Sequence, residues 1–385
     1  MTTQVKGGLS LRADVIDRGL CANCGACVGM CPYLVAYRGR IVALDDCAVE
    51  QGRCYAFCPR TATDLDAASE AVFGASFDDG PIGRVAEVLM ARAAREDVRA
   101  KAQYGGTVSA LVAFAIERGF IDSAVLTKSD ASLLPAGVLA RDASEVLSHA
   151  GSSYVAAPTL AAFNREAQRE EVRRVGIVAT PCQALALAKM RSSALENRNH
   201  TVPTGRQVEK LSLVVGLFCT WALDYETFAS FLAERMPLER VSKLDIPPPP
   251  ANVLQVVAGA EKLSISLDEV RRFIRPACNV CLDMTAEFAD VAVGAAEGID
   301  GWNTLIVRSE RGRELVEAAR KAGVIETEAL PEENLSHLKG ASLGKRKRAL
   351  ANIRAMTGSD DDLLYLELRP KTRERLLGKG PAESQ

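Results

Sequence analysis

The sequence predicts an α/β protein, α+β overall, in which a small cysteine-rich domain precedes a larger α/β domain. The first observation is that the short, glycine- and proline-broken stretches between Cys21 and Cys58 hold seven of the eleven cysteines. The second is that helical periodicities alternate with β-rich runs from Gln103 onward, which is typical of a domain with a largely parallel sheet. We therefore divide the chain into residues 1–66, a linker over 67–102, and residues 103–385.

Length, composition and charge limit the classes of protein to which the chain can belong. Its 385 residues are enough for two or three domains, and 48 % hydrophobic with 25 % charged residues is the balance of a globular protein. A net charge of −2 gives no electrostatic reason to expect binding to nucleic acid or to an anionic membrane. The N-terminus has no apolar signal region, and no segment approaches about eighteen consecutive apolar residues. We expect a soluble cytoplasmic protein without a membrane span.

The amino-terminal cysteines form two runs. An intracellular chain keeps its thiols reduced, so cysteines clustered in this way indicate metal ligands or redox groups. The stretch CANCGACVGMCP at 21–32 reproduces the C-x2-C-x2-C-x3-C-P run of bacterial ferredoxins, whose fourth cysteine ligates a different cluster from the first three. The second run, CAVEQGRCYAFCPR, begins at Cys47 and lacks the middle cysteine. If the runs cross as in ferredoxins, one 4Fe–4S cluster is held by Cys21, Cys24, Cys27 and Cys58.

Three thiolates remain for a second amino-terminal cluster, those of Cys31, Cys47 and Cys54. They suit a 3Fe–4S cluster, or a 4Fe–4S cluster with a fourth ligand that is not cysteine. Candidates for such a ligand are Asp45, Asp46 and Glu50. The absence of a second cluster is a further alternative. Structural zinc sites also use C-x2-C spacing, but the two C-x3-C-P endings favour iron–sulfur clusters.

The larger domain is expected to begin after a linker. Residues 67–102 are typical of a linker with one helix, roughly from Val85 to Lys101. In the stretch that follows, apolar residues keep helical spacing from Val108 to Ile116. Gly119 then provides a helix C-cap, and SAVLT at 123–127 predicts a strand.

Two cysteines are predicted at the carboxyl ends of buried strands. The apolar run from Val175 to Ala179 is one such strand, and a turn leads from it into a helix that begins near Cys182. The run from Leu211 to Leu217 is another, and it delivers Cys219. Because open α/β sheets bind ligands beyond the carboxyl ends of their strands, we expect the two thiols to be neighbours. The proline run at 247–250 predicts a stiff surface loop.

Cys278 and Cys281 form the C-x2-C pair CNVC. By itself this pair is compatible with zinc, with a redox pair or with chance. A single cysteine such as Cys182 or Cys219 is more often a small apolar core residue. Together, however, the four cysteines are enough for one further metal site.

The order of several motifs gives the larger domain a specific resemblance. The stretches QYGGTVSALVAFAIERGFIDSAV, AGSSYV, ATPCQALAL, GLFC, LDI, CNVCLDMTAEFADVAVG and GWNTLIVRSERG follow the order seen in the coenzyme F-420 hydrogenase/dehydrogenase beta-subunit family. The chain resembles this family from about residue 103 to residue 320, and a ferredoxin-like N-terminus is common there. The resemblance implies a protein that contains FAD and iron–sulfur clusters. It also implies a 4Fe–4S cluster near the flavin, held by Cys182, Cys219, Cys278 and Cys281.

The resemblance also assigns flavin-binding stretches. A Gly-Gly pair before a helix lets backbone N–H groups approach a phosphate, and Thr107 and Ser109 add hydroxyl donors. On its own such a pair is more often only a turn. The residues implied to contact FAD are Gln103, Tyr104, Gly105, Gly106, Thr107, Ser109, Gly151, Ser152, Ser153, Tyr154, Thr180 and Gln183.

The sequence indicates no catalytic side chain. Of the three histidines, His200 and His337 are expected to be solvated, and His149 beside AGSSY is a weak candidate to face the flavin. The pair Lys243–Asp245 is either a salt-bridged strand end or a contact to flavin or substrate. The KRKR run at 345–348 is typical of a solvated helix face.

The implied activity is electron exchange between a two-electron partner at FAD and one-electron iron–sulfur clusters, because flavin joins the two kinds of carrier. The chain would be an oxidoreductase that serves as an electron-transfer module or subunit of a larger redox system. Its protein partner would be a ferredoxin or a catalytic subunit, and a deazaflavin is a candidate small carrier. A G-x-G-x-x-G nicotinamide fingerprint is absent. The alternatives are a stand-alone ferredoxin-dependent reductase of an organic substrate such as a tetrapyrrole, and a pure electron relay.

Overall fold

The computed structural model describes residues 5–193, 195, 207–247 and 251–377. His200 and residues 248–250 of the predicted proline loop lie outside these ranges. The helices are α1 (Gly8–Leu11), α2 (Arg53–Ala56), α3 (Leu65–Phe73), α4 (Glu96–Lys101), α5 (Thr107–Glu117), α6 (Ala143–Ser148), α7 (Thr159–Glu166), α8 (Pro181–Ser192), α9 (Tyr225–Ala233), α10 (Leu267–Val270), α11 (Glu310–Lys321), α12 (Glu332–Thr357) and α13 (Pro370–Leu376). None of the described helices is long and apolar enough to cross a membrane.

The strands form one large and three small sheets within the described ranges. They are β1 (Leu34–Tyr37), β2 (Arg40–Ala43), β3 (Thr63–Asp64), β4 (Glu87–Ala93), β5 (Ser123–Ser129), β6 (Pro135–Ala140), β7 (Val175–Ala179), β8 (Leu211–Leu217), β9 (Lys243–Asp245), β10 (Val253–Ala258), β11 (Glu261–Ser266), β12 (Val291–Ala295), β13 (Asn303–Val307), β14 (Ile325–Ala329) and β15 (Leu366–Glu367).

The larger domain is built on an eight-stranded mixed sheet with the order β14-β4-β13-β12-β8-β7-β5-β6. Its centre, β12-β8-β7-β5, is parallel. β6 on one side and β13, β4 and β14 on the other are antiparallel to their neighbours. The α/β class is thus confirmed, but the prediction of a largely parallel sheet is wrong at the edges. Short connections such as that between β12 and β13 leave no room for a crossover helix, so the paired strands run antiparallel.

The predicted elements around the central strands are present. α5 contains the predicted helix from Val108 to Ile116, and Gly119 beyond it adopts a left-handed φ of +70°. β5 contains SAVLT, and β7 and β8 have the predicted bounds. Because β7 and β8 pair in parallel, their carboxyl ends lie at the same edge of the sheet. Cys182, near the start of α8, and Cys219, just after β8, are therefore brought to one place.

The helix predicted from Val85 to Lys101 is wrong in its first half. Glu87–Ala93 forms strand β4, and helical structure is confined to Glu96–Lys101 as α4. β4 pairs with β13 along one edge and with β14 along the other. These tertiary hydrogen bonds outweigh the local helical preference of the stretch. The segment predicted to be a linker therefore contributes a strand to the large sheet.

Alternating side chains of the large sheet supply two hydrophobic layers. One layer includes Ile177 with α7 and α8, and α3 packs onto it. The other includes Val215 with α5 and α11. The small sheet β9–β11 has a separate core around Phe228 and Leu254. Successive residues of a strand face opposite sides of the sheet, so helices cover both faces of the central strands.

The cysteine-rich segment is held against the start of α7. Cys24 O accepts a hydrogen bond from Leu160 N–H at 3.1 Å. The buried Asn164 amide donates to carbonyl groups of the same loop at 2.7–3.4 Å. Gly25 has a φ of +83°, and a Cβ there would lie 2.6 Å from Pro158 O. The first cysteine run thus needs glycine at this position in order to pack on the larger domain.

Candidate redox site

The structure brings together the four thiols of the first predicted cluster, which we call the first thiol group. Burial raises the pKa of the Cys27 thiol, and the nearby thiols of Cys21, Cys24 and Cys58 raise it further. Burial also raises the pKa of Cys58 to about 11, although Lys189 opposes this. Thiols raise one another's pKa only at short range, because two thiolates repel. The four sulfur atoms therefore share one buried neighbourhood.

Cys31, Cys47 and Cys54 form the second thiol group. Burial raises the pKa of Cys54 to about 12, and Cys31 and then Cys47 contribute to the rise. The three side chains line a cavity of about 20 Å³. Cys54 also interacts with Cys58 and Cys27. The second group is therefore adjacent to the first.

The four scattered cysteines meet in the third thiol group. Burial raises the pKa of the Cys219 thiol, and the thiols of Cys278, Cys182 and Cys281 add to this rise. Cys278 ends the short 3₁₀ helix Pro276–Cys278, so the C-x2-C pair reaches the site from a turn. The two strand ends place Cys182 and Cys219 together, as the α/β topology predicts.

Hydrogen-bond donors are aimed at two sulfur atoms of the third group. Ala222 N–H donates to Cys278 Sγ at 3.3 Å. The Thr180 hydroxyl lies 3.3 Å from Cys182 Sγ. Donors to sulfur favour the thiolate over the thiol, and they are one of the means by which a protein sets the potential of a cluster.

A buried lysine of α12 lies against the third group. Lys345 Nζ donates to Cys219 O at 2.7 Å and to Asp283 O at 2.6 Å. Burial by itself lowers the pKa of Lys345, but Cys281 and Cys219 outweigh it and the pKa is raised. Lys345 in turn holds the pKa of Cys281 below its ordinary value despite the burial of that thiol.

The prediction that KRKR forms a solvated helix face is wrong for its first half. Lys345 and Arg346 are only 5 % and 4 % exposed, whereas Lys347 and Arg348 are exposed. One side of α12 is packed over the third thiol group, and this side carries the two buried cations. Each of them has a polar partner that offsets the cost of burial.

A buried arginine lies between the first and third thiol groups. Arg60 follows Cys58 by two residues and is 5 % exposed. Burial by itself lowers the pKa of this guanidinium. The effect of Tyr365, followed by those of Cys281 and Cys182, outweighs burial and raises the pKa well above its usual range. Its guanidinium carbon lies 4.8 Å from the centre of the Tyr365 ring. Arg60 therefore places a positive charge where thiolates of two groups would accumulate negative charge.

A buried ion pair borders a cavity of about 40 Å³ beside Cys182 and Cys281. It joins Glu287 Oε1 to Arg346 Nη2 at 2.6 Å. Burial raises the pKa of Glu287 to about 7, although Arg346 opposes the shift. The charge of this carboxyl group is therefore expected to change near neutral pH.

The donor set of the thiol groups fits iron–sulfur clusters. All eleven cysteines are free thiols. In the part of the chain that the structure describes, no three His, Cys, Asp or Glu side chains converge closely enough to hold a single metal ion. A cluster makes a different demand, because its cysteines are distributed around an inorganic core. Groups of buried and half-buried thiols with donors and cations beside them meet that demand.

The predicted flavin stretches meet around Tyr154. The Gln103 amide donates to Tyr154 Oη and accepts from the Ser152 hydroxyl. The Tyr104 hydroxyl donates to Ile246 O at 2.9 Å, and Ile246 N–H donates to Tyr154 Oη at 3.0 Å. QYGG, GSSY and the residue after KLD are thus joined in one network, which we call the tyrosine network. Its polar groups could orient the ring system or ribityl chain of a flavin.

A charged pair borders the tyrosine network. Lys243 Nζ lies 3.3 Å from Asp245 Oδ2, so the salt-bridged strand end proposed from the sequence is present. Burial raises the pKa of Tyr104 to about 12, and Asp245 adds to the rise. The carboxylate therefore also faces this tyrosine, and a contact of the pair with a ligand stays a prediction.

Three residues implied to contact FAD use their polar groups within the protein. Thr107 Oγ1 lies 2.9 Å from both Ala91 O and Asn303 Oδ1. Thr180 N–H donates to Gln183 Oε1 at 2.8 Å, and the two residues form the capping box of α8. Contacts of these side chains with a flavin stay a prediction.

The local structure requires glycine at both positions of the Gly-Gly pair, whether or not a flavin binds there. A Cβ on Gly105 would lie 2.8 Å from Asn303 Oδ1, and Gly106 has a φ of +74° at the N-cap of α5. The remaining predicted residues are placed as follows: Ser109 half-buried, and Gly151 and Ser153 exposed. His149 Nδ1 is buried without a hydrogen-bond partner among the described residues, and burial lowers the pKa of this imidazole.

Trp221 connects the third thiol group with the tyrosine network. Cys219 Sγ lies 3.6 Å from Trp221 O, and the centres of the Trp221 and Tyr154 rings are 6.4 Å apart. Trp221 was not predicted from the sequence, where its available signal is its position two residues after Cys219. The roles of Arg60, Lys345 and Asn303 were likewise not predicted.

The groups lie in one succession. Cys54 of the second group interacts with Cys58 of the first. Cys24 of the first interacts with Cys182 of the third. Trp221 joins the third group to the tyrosine network. The structure therefore provides a continuous series of candidate redox positions from the amino-terminal segment into the α/β domain.

Groups of clustered thiols in an α/β domain are typical of a redox protein. Two family models match the chain: the N-terminal part of the coenzyme F420 hydrogenase/dehydrogenase beta subunit over residues 88–164, and its C-terminal part over residues 172–333. The chain belongs to this family, and the resemblance inferred from the sequence is confirmed. The first match begins within β4, in agreement with the place of that strand in the large sheet.

Named relatives match most of the chain. The coenzyme F420 hydrogenase subunit beta of Methanothermobacter thermautotrophicus is 28 % identical over 281 residues, which cover 71 % of this chain and 96 % of the relative. The coenzyme F420-dependent sulfite reductase of Methanocaldococcus jannaschii is 30 % identical over 322 residues, which cover 81 % of this chain but 48 % of the relative. This chain thus spans about half of that protein.

A solved structure shares the fold. It belongs to the F420-reducing [NiFe] hydrogenase complex from Methanosarcina barkeri, with a TM-score of 0.64 and 26 % identity over 72 % of this chain and 96 % of that one. Together with the named relatives, it indicates that this chain is related to subunits of oxidoreductase complexes.

Proposed function

We propose that the protein is an iron–sulfur flavoprotein that exchanges electrons between a two-electron carrier and a protein partner. It holds FAD at the tyrosine network and 4Fe–4S clusters at the first and third thiol groups, and it serves as an electron-transfer module of a larger cytoplasmic redox system. The observation that carries the proposal is the unbroken succession from the amino-terminal thiols through the third group and Trp221 to Tyr154.

The residues of the chain have distinct tasks in this proposal. A bound flavin supplies the junction between two-electron and one-electron chemistry. Gln103, Tyr104 and Tyr154 offer hydrogen-bonding groups that fix the orientation of the flavin. Arg60 and Lys345 compensate the negative charge of ligated thiolates, which would be costly to bury alone.

Coenzyme F420 is the proposed two-electron carrier. The named relatives all bear this deazaflavin in their names, and this supports the same class of carrier here. The tyrosine network is half-buried, so the planar ring of coenzyme F420 could reach a flavin held by this network. Because the chain spans about half of the sulfite reductase, the activity named for that relative is not proposed for this chain.

A ferredoxin or a catalytic subunit is the proposed protein partner, and it docks near the second thiol group. Five large apolar side chains among the described residues of the amino-terminal segment are exposed, namely Leu9, Tyr33, Tyr37, Leu44 and Val49. Leu9 and Tyr33 line the cavity that holds the three thiols. Exposed apolar clusters of this kind are typical of protein interaction sites.

The test is anaerobic purification with iron, sulfide, zinc and flavin quantified, followed by mixing with reduced F420 and an artificial dye. We expect about one flavin and at least about eight irons per chain, with dye reduction that depends on reduced F420. Turnover with ferredoxin and an organic substrate, without reaction with F420, would identify a stand-alone reductase. Reaction with neither would identify a pure relay, and bound zinc without flavin would refute the proposal.

A further inference from the structure

Two carboxylates line the cavity of the second thiol group. Asp45 and Asp46 lie in its wall together with the three cysteines. Glu50, the third carboxylate that the sequence offered as a ligand, is not among the residues that line the cavity. The geometry therefore reduces three candidates for a fourth ligand to two.

The two carboxylates differ in what they already bind. Asp46 Oδ1 lies 3.2 Å from Arg12 Nη1, in an ion pair. Asp45 Oδ1 accepts a hydrogen bond from Asp46 N–H at 2.8 Å, which fixes the direction of the Asp45 side chain. Across residues 5–193 and the other described ranges, no lysine or arginine lies within ion-pairing distance of Asp45. Asp45 is thus the carboxylate with ligating capacity to spare, and iron accepts carboxylate ligands.

The protein around the second thiol group is built for close approach. A Cβ on Gly8 would lie 2.9 Å from Cys47 Cβ, and a Cβ on Gly52 would lie 3.0 Å from Cys54 Sγ. Arg53 directly precedes Cys54 in α2 and is only 6 % exposed. Two glycines thus let the backbone approach the second thiol group closely, and a buried cation lies beside it. Both features suit a cluster held by thiolates.

We propose that Cys31, Cys47, Cys54 and Asp45 hold a second amino-terminal 4Fe–4S cluster, in which Asp45 ligates the iron that has no cysteine. The inference rests on the proposed function, because it needs a protein that acquires iron–sulfur clusters. Asp45 is exposed, so an iron held by it would be open to solvent and would be the first to be lost on oxidation. The second group is then neither empty nor a three-iron site in the intact protein.

The test compares the full-length protein with Asp45→Ala, Asp45→Cys and the matched control Asp46→Ala, all reconstituted anaerobically with iron and sulfide. We expect about twelve irons per chain in the wild type, four for each of three clusters, and no three-iron EPR signal. Asp45→Ala should lose about one iron per chain and gain the signal of an oxidised three-iron cluster. Asp45→Cys should keep about twelve irons, and Asp46→Ala should match the wild type.

Three results would overturn the inference: about eight irons in the wild type, a three-iron signal in the wild type that Asp45→Ala leaves unchanged, or loss of iron from Asp46→Ala instead. Flavin content and the remaining irons show in each variant whether the chain has folded. They also separate the two proposals, because failure of the proposed function removes flavin or the other clusters, whereas failure of this inference leaves both in place.

Discussion

The second and third thiol groups differ in how their charge is compensated. The third has one buried and three half-buried thiols and contacts two buried cations, Lys345 and Arg60. The second has three half-buried thiols in a cavity bordered by the exposed Asp45 and Asp46, and the buried Arg53 directly precedes Cys54. Removing negative charge from water is costly unless positive charge accompanies it, so the interior site must carry its own cations. The second group needs fewer buried cations, because water and a partner protein can also compensate its charge.

Removal of one ligand from the third group should have the largest effect. We expect Cys219→Ser to lose about four irons per chain, because a buried 4Fe–4S site requires all its thiolates. Cys47→Ser, at the surface group, should leave the irons of the third group in place. Iron and sulfide analysis with EPR of both variants would measure this. If either variant lost equal amounts of iron from the second and third groups, the two groups would not be independent sites and the comparison would be wrong.

Removal of a buried cation should come next. Lys345→Met removes a positive charge that compensates the thiolates of the third group, so a cluster bound there becomes harder to reduce. We expect the equilibrium constant of its one-electron reduction to fall about tenfold, which corresponds to a potential lower by about 59 mV. Cys219 O and Asp283 O also lose a donor, at a cost of about 1–3 kcal/mol of folding free energy. Potentiometric EPR titration and denaturant unfolding are the measurements. The exposed neighbour Lys347 provides the control, since Lys347→Met should change neither quantity, and equal shifts in both variants would contradict the assignment.

The buried Glu287, beside the third group, should make the unfolding free energy of the protein depend on pH. Its pKa is raised to about 7, so between about pH 4.5 and 7 the native state binds more protons than the unfolded state. The contribution of this group is therefore present at low pH and lost as pH rises through that window, by about 3 kcal/mol in all. Unfolding free energies across this range should show the loss in the wild type but not in Glu287→Gln. Glu310→Gln, at an exposed carboxylate, should follow the wild type, and parallel profiles for all three would refute the effect.

The smallest expected effect concerns flavin affinity. Tyr154→Phe removes the acceptor of Ile246 N–H and of the Gln103 amide. We expect the dissociation constant of FAD to rise roughly 3- to 10-fold, about the weight of one hydrogen bond. Fluorescence titration of the deflavinated protein would measure it. The exposed Tyr37 offers a control, and an equal effect of Tyr37→Phe would remove the tyrosine network from the flavin site.

Local patterns were enough to predict much of the fold. β7 and β8 are continuous apolar runs, and α5 has helical spacing, so each could be recognised without its neighbours. β4 could not be recognised in this way, because it forms a strand only by pairing with β13 and β14. These two strands follow it by more than two hundred residues. The helix predicted there reflects local preference alone.

The candidate site shows the same limit. The spacing of Cys21, Cys24 and Cys27 carries its own signal, and the order of motifs points to the third thiol group. The sequence gives no signal for the roles of Lys345 and Arg60. A lysine in a charged helical run and an arginine after Cys-Pro are typical of surface residues. Their burial follows from how α12 and the amino-terminal segment pack against the α/β domain, which is a property of the folded chain.

The central claim is that the third thiol group links the flavin to the amino-terminal clusters. Its most direct test is to mix flavin-loaded protein with reduced F420 and to follow flavin bleaching by stopped flow and the amino-terminal clusters by freeze-quench EPR. In the wild type both should become reduced. In Cys219→Ser the flavin should bleach at the wild-type rate while the amino-terminal clusters stay oxidised. Reduction of those clusters at the wild-type rate in this variant would contradict the account.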